Sequence, residues 1–185
     1  MQRTPSQTIG PFFHEALRWP DGDKVRFAET GQPIVLTGRL LDGAGETLAD
    51  SLIETWQLSP LGKPPAPASG SSLPHGLGRV ETRKDGTYRI ETLMPGAPEG
   101  AAPCIEVTVF ARGLLKPLRT RVYLADEARV RADPLMKSLA GSTRLKTLIA
   151  EPEAVGAPTV YHWDIRLQGV GETVFFATGV PNSLG

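Results

Sequence analysis

The chain is expected to be all-β: an eight-stranded antiparallel β-sandwich with long loops, an N-terminal arm and short helical turns. Three observations point there. Twenty Gly and 17 Pro divide the chain into short runs, as turns divide strands. Several runs alternate apolar and polar side chains, the period of a strand with one buried face. Their number and spacing favour a sandwich. A length of 185 residues suits one domain with a proper core and is short for two. One domain over 1–185 is therefore expected, with residues 1–30 as an arm packing on a partner subunit.

Taken in order, "IVLTGRLLD" (34–42) is the first strand and Gly43–Gly45 its turn. "SLIETWQL" (51–58) follows, with Leu52, Glu54 and Trp56 on one face. Asp85–Gly86, between "GRVET" and "TYRIETL", is a short-range hairpin signal. "IEVTVFA" (105–111) and "LRTRVYL" (118–124) form an antiparallel pair. "VYHWDIRLQG" (160–169) and "ETVFFATG" (172–179) supply a last hairpin across Gly169–Gly171. Residues 59–76 hold five prolines and no hydrophobic period, so they read as a long surface loop. An inter-domain linker is the alternative there, although the strands before it are too few to close a core. Within 126–150, Asp133 is placed to cap a helix with Pro134 at its first position, and "TRLKTLIA" to form a second short turn.

Lys+Arg and Asp+Glu number 20 each, so no bulk field points to nucleic acid or an anionic membrane. The single cysteine cannot form an internal disulfide and favours a reducing compartment. The N-terminus lacks the apolar core of a signal peptide, and no apolar run reaches membrane-spanning length. A cytoplasmic protein is expected.

Alternation places Cys104, Glu106, Thr108 and Phe110 on one face of a strand and Ile105, Val107, Val109 and Ala111 on the other. A thiol and a carboxylate two apart could be metal ligands, but soft sulfur and hard oxygen make an indifferent pair without histidine. His14, His75 and His162 lie at no metal-ligand spacing. A small buried thiol and a carboxylate paired with an arginine are the plainer readings. There is no G-x-S-x-G elbow and no phosphate-binding glycine loop. Residues 112–146 carry nine Lys/Arg against three acids. That stretch reads as a solvated or interface face, or more sharply as an electropositive rim for a small carboxylate. The segment "TPSQTIGPFFH" puts Phe12–Phe13 among turn formers, which suits a docked arm better than a frayed end.

"TPSQTIGPFFHEAL", "LDGAGETLADSLIETWQ", "GRVETRKDGTYRIETLMPG", "PCIEVTVFARGL", "TRVYLADEA", "TLIAE" and "WDIRLQGVGETVFFATG" stand in this order along nearly the whole chain. In this the sequence resembles the intradiol ring-cleavage dioxygenases, and among them the alpha-type subunits. The resemblance implies a ferric iron, Fe(3+), held by two tyrosines and two histidines of a partner beta subunit, with none bound by this chain. The ligand positions here fall on Pro64, on the tyrosine-free "PGAPEGAA", and on Cys104 and Glu106. Cys104 and Glu106 would thus occupy a vacated metal site. No catalytic residue is expected in this chain. The resemblance also implies that the arm, through Thr8, Gly10, Pro11 and Phe12, and the arginine of "FARG", Arg112, complete the partner's substrate pocket. The implied assembly is αβ protomers in a larger oligomer acting on a small aromatic substrate and O₂, without nucleic acid or membrane. The rivals are a metal-free transthyretin-like binding module, which would lack the arm and "FARG", and a stand-alone intradiol dioxygenase, which would need iron ligands.

Overall fold

A computed structural model describes residues 7–10, 13–66, 75–139, 142–154 and 158–177. Two sheets face each other. One has the order β3 (Leu77–Glu81), β2 (Leu52–Trp56), β5 (Cys104–Phe110), β6 (Leu118–Tyr123), all antiparallel. The other has β4 (Thr87–Leu93), β1 (Pro33–Leu41), β8 (Thr159–His162) and β7 (Glu151–Ala154), with the two-residue β9 (Ile165–Arg166) also on β1. The core between them includes Leu36, Leu40, Ile53, Ile90, Val107 and Val122. Each comes from the inward row of an alternating strand, which is how the binary pattern selects the sandwich.

The all-β sandwich agrees with the sequence, and four details differ. Nine strands are present among the described residues rather than eight, and the second sheet is mixed, because β8 and β9 run parallel to β1. The Asp85–Gly86 turn forms: Gly86 has φ +73°, and Asp85 Oδ1 accepts from Thr87 N at 3.1 Å and Oγ1 at 2.6 Å. Yet it joins β3 of one sheet to β4 of the other instead of pairing them. A turn signal specifies the turn; the inward rows of Val80 on one side and Tyr88 and Ile90 on the other then send the strands to opposing layers.

The last hairpin is likewise reshaped. "VYHWDIRLQG" breaks at Trp163–Asp164, because the Asp164 carboxylate takes the place of a ladder acceptor. Its Oδ1 accepts from Arg39 N and its Oδ2 from the Arg39 guanidinium, both at 2.8 Å. The described part of "ETVFFATG", residues 172–177, forms a strap rather than a strand. Thr173 N donates to Arg166 O at 2.9 Å and Phe176 N to Arg119 O at 2.8 Å, so it crosses from one sheet to the other. Its alternation serves two cores: Phe175 packs on the main one, Val174 and Phe176 on a second.

That second core fixes the functional region. Helix α1 (Phe13–Leu17) belongs to the arm; α2 (Glu127–Ala132), α3 (Pro134–Ser138) and a 3₁₀ turn (Thr143–Leu148) follow β6. Val130, Met136, Leu145 and Leu148 bury against Tyr123 and Ala102, closing over the start of β5. Asp133 caps α3 as expected, its side chain accepting from Leu135 N at 2.9 Å with Pro134 opening the helix.

Candidate functional site: two ends of one strand

Strand β5 alternates as the sequence requires: Ile105, Val107 and Val109 are buried, and Cys104, Glu106, Thr108 and Phe110 are half-buried on the outer face. Cross-strand register sets the partners. Cys104 lies opposite Tyr123, and Glu106 lies between Arg121 on β6 and Trp56 on β2. Cys104, Glu106, Arg121 and Trp56, with Leu58, Ala97, Pro98, Ala102 and Asp133, line a cavity of about 200 Å³ at the start of the strand.

Most polar groups of the cavity engage one another, although the buried Nε of Arg121 has no hydrogen-bond partner among the described residues. Glu106 forms an ion pair with Arg121. Arg121 Nη1 donates to the Tyr123 hydroxyl at 3.3 Å, which donates to Asp133 Oδ1 at 3.2 Å. Asp133 Oδ2 accepts from Ala102 N at 3.0 Å. Burial pushes the Cys104 thiol up to about 11 against the pull of Arg121, with the Glu106 and Asp133 carboxylates adding to the rise. Burial also pushes Tyr123 up to about 12, although Arg121 opposes it. Burial disfavours the Arg121 cation, but the Tyr123 hydroxyl, the Cys104 sulfur and Glu106 together hold its proton more tightly than usual.

This set does not fit a ferric ion. The thiol is neutral at physiological pH, the Glu106 carboxylate is spent on a guanidinium, and every Asp133 acceptor is engaged by a donor. A fixed cation already sits where a metal would add charge. Among the described residues no three His, Cys, Asp or Glu side chains gather as a metal would need. Pro64 is exposed in the turn after β2 and is not among the cavity-lining residues. His75 is half-buried just before β3, and His162 pairs with Asp164 at 3.0 Å.

The opposite end of β5, six residues on and roughly 20 Å away at strand rise, is built differently. Arg112 follows the strand and pairs with Asp50 at 3.4 Å, with both side chains more than half exposed. The arm comes back to this place. Thr8 Oγ1 accepts from Gly113 N at 2.9 Å. Ile9 sits in a small groove with Phe110, Leu114 and Leu115. Gly10 is exposed with open space around its Cα. Pro11 and Phe12 lie outside the described residues. Thr8, Gly10 and Arg112 are thus brought to one region, and Cys104 and Glu106 to another.

The basic stretch does not form one rim. Arg121 is paired with Glu106, Arg131 with Glu127, and Arg144 with Glu172, each acid drawn from a different element. Sequence reading missed Arg121 and Asp133 as cavity residues and Tyr123 as the hydroxyl that links them. Arg121 and Tyr123 share a face of "LRTRVYL", which was a usable signal once β5 and β6 were paired; Asp133 was visible only as a cap.

The family profile described as Dioxygenase matches residues 8–169. The chain belongs to this family. It is 37% identical to the protocatechuate 3,4-dioxygenase alpha chain of Pseudomonas putida, over 95% of this chain and 96% of that one. The protocatechuate 3,4-dioxygenase beta chain of Burkholderia cepacia is 28% identical, over 89% of this chain and 75% of that one. Among solved structures, the dioxygenase domain of a dioxygenase–carbohydrate-binding fusion from Streptomyces sp. SirexAA-E superposes with a TM-score of 0.61. It shares 21% identity, covers 90% of this chain and 99% of its own, and speaks for the fold alone. Among the described residues no helix is long and apolar enough to cross a membrane.

Proposed function

We propose that this chain is the alpha subunit of a protocatechuate 3,4-dioxygenase. With its beta partner it forms an intradiol dioxygenase that inserts both atoms of O₂ between the hydroxyl-bearing carbons of protocatechuate, giving 3-carboxy-cis,cis-muconate. The observation that carries this reading is the end-to-end likeness to an alpha chain, joined to a cavity whose donors suit no ferric ion. In this reading the iron belongs to beta, and this chain alone is inactive. Its share of the work is to bind and orient: the arm residues Thr8, Gly10, Pro11 and Phe12 wall the partner's pocket. Arg112 faces the substrate carboxylate there, since a guanidinium can pair with it bidentately. Residues 1–185 act as one domain, with 1–30 as the arm. Cytoplasmic residence fits the single cysteine, a half-buried free thiol. The transthyretin-like alternative has no observation in its favour.

Co-expression with a beta chain, followed by gel filtration and metal analysis, tests this. The two chains should co-elute as a coloured, iron-containing oligomer, and this chain alone should be colourless, because ferric tyrosinate is what absorbs in the visible. A coloured chain with stoichiometric iron in the absence of beta would overturn the assignment.

A further inference from the structure

We propose that Thr8 is a positioning residue: with its hydroxyl as the acceptor for the Gly113 amide, it joins the arm and the Arg112 turn into one unit and so sets where Arg112 presents its guanidinium. This rests on the reading above in which Arg112 serves the substrate carboxylate. Three features of this corner carry the inference. The Thr8 Oγ1–Gly113 N bond spans 105 residues of sequence and attaches next to Arg112 itself. The turn it grips is closed by one long backbone bond, Leu114 N to Ala111 O at 3.3 Å; Gly113 has φ +88° with open space where a Cβ would point, and Arg112 has a long, exposed pairing with Asp50. Beside Thr8, Ile9 lines a small groove together with Phe110, Leu114 and Leu115, so the hydrogen bond sits at the edge of a shared apolar surface and the two act together as a clip. A single hydrogen bond on a loose loop fixes direction more than it adds stability, since ordering the loop offsets much of its gain. The clip also acts within this chain, so the arm and Arg112 reach the partner already arranged, which lowers the ordering cost of association.

The test compares Thr8→Val, which is isosteric but has no acceptor, with Thr8→Ser, which keeps it, and with Arg112→Ala. Each is assembled with beta and assayed on protocatechuate and on unsubstituted catechol. Thr8→Val should lower the preference for protocatechuate over catechol by about three- to ten-fold, the scale of one neutral hydrogen bond, with most of the loss in KM. Thr8→Ser should restore it, and Arg112→Ala should lose at least as much. Equal losses on both substrates in Thr8→Val, or none, would overturn the clip; if Arg112→Ala still lost its preference, the reading of Arg112 would stand. No loss of preference in either variant would overturn both. Should Thr8→Val fail to assemble, amide exchange at Gly113 in the free chain decides: slow in the native and Thr8→Ser chains and fast in Thr8→Val if the clip holds, equal in all three if it does not.

Discussion

The two ends of β5 present opposite electrostatic designs on one strand. At the start, charge is turned inward: Glu106 faces Arg121, Tyr123 bridges Arg121 to Asp133, and Cys104 stays neutral beside them. At the far end charge is turned outward: Arg112 keeps a long, exposed contact with Asp50 while the arm folds in beside it. A site whose carboxylates and hydroxyl are already engaged has little left for a cation, whereas an exposed guanidinium in one long ion pair keeps donors for recognition. On the function proposed above, the difference is how a chain whose cavity suits no ferric ion would still shape chemistry that lies in a neighbour.

The largest effect is expected from the outward end. Arg112→Ala in the assembled enzyme should cost roughly ten- to a hundred-fold in kcat/KM on protocatechuate, the scale of a charged hydrogen bond, and much less on catechol, which lacks the carboxylate. Steady-state kinetics on both substrates measures it. Equal losses on the two, with assembly disturbed, would make Arg112 an interface anchor and erase the contrast between the ends.

The inward end should respond in stability and not in selectivity. Asp133 is 3% exposed and accepts from Ala102 N, Leu135 N and the Tyr123 hydroxyl. Asp133→Ala strips the cap of α3 and leaves buried donors unpaired, a loss of about 2–4 kcal/mol. Urea unfolding should show it, while the preference for protocatechuate over catechol in enzyme that does assemble stays at the native value. A changed preference would mean that the two ends communicate.

Much of this contrast was legible in the sequence, and what was missed has a physical cause. Period-two alternation placed Cys104 and Glu106 on one face, and the Asp133–Pro134 helix-start signal placed the cap, because both follow from local geometry. Partner choice was not local. The turn at Asp85–Gly86 was visible, but which sheet β4 joins depends on the row formed by Tyr88 and Ile90. The alternation of Val174, Phe175 and Phe176 suggested a strand, yet it divides between two cores. Arg121 was counted within a basic stretch, and its role as the cavity's own cation depended on the β5–β6 register that sets it opposite Glu106.

The smallest effect, and the one that isolates the inward end, is its response to alkali. The Cys104 thiol has an ordinary value of 9.0 and is pushed up to about 11 in the fold by burial. Above pH 9 the unfolded chain therefore loses this proton while the folded chain keeps it. Unfolding then releases protons, and stability falls as pH rises from about 9 to about 11, having been fully present below that window. Tyr123, raised from 10.0 to about 12 chiefly by burial, extends the fall at its upper edge. Melting temperature against pH should stay level up to about pH 9 and then decline; Cys104→Ala should remove the first part of the decline and leave the part due to Tyr123. Alkylation gives an independent reading, since the thiolate is the nucleophile: iodoacetamide at pH 8 should modify the unfolded chain readily and the folded chain slowly. Arg112→Ala should leave both measurements unchanged, because nothing at its end of the strand touches the thiol. If Cys104→Ala follows the native pH profile throughout, the thiol is not the group that the cavity holds neutral, and the inward design rests on the Glu106–Arg121 pair alone.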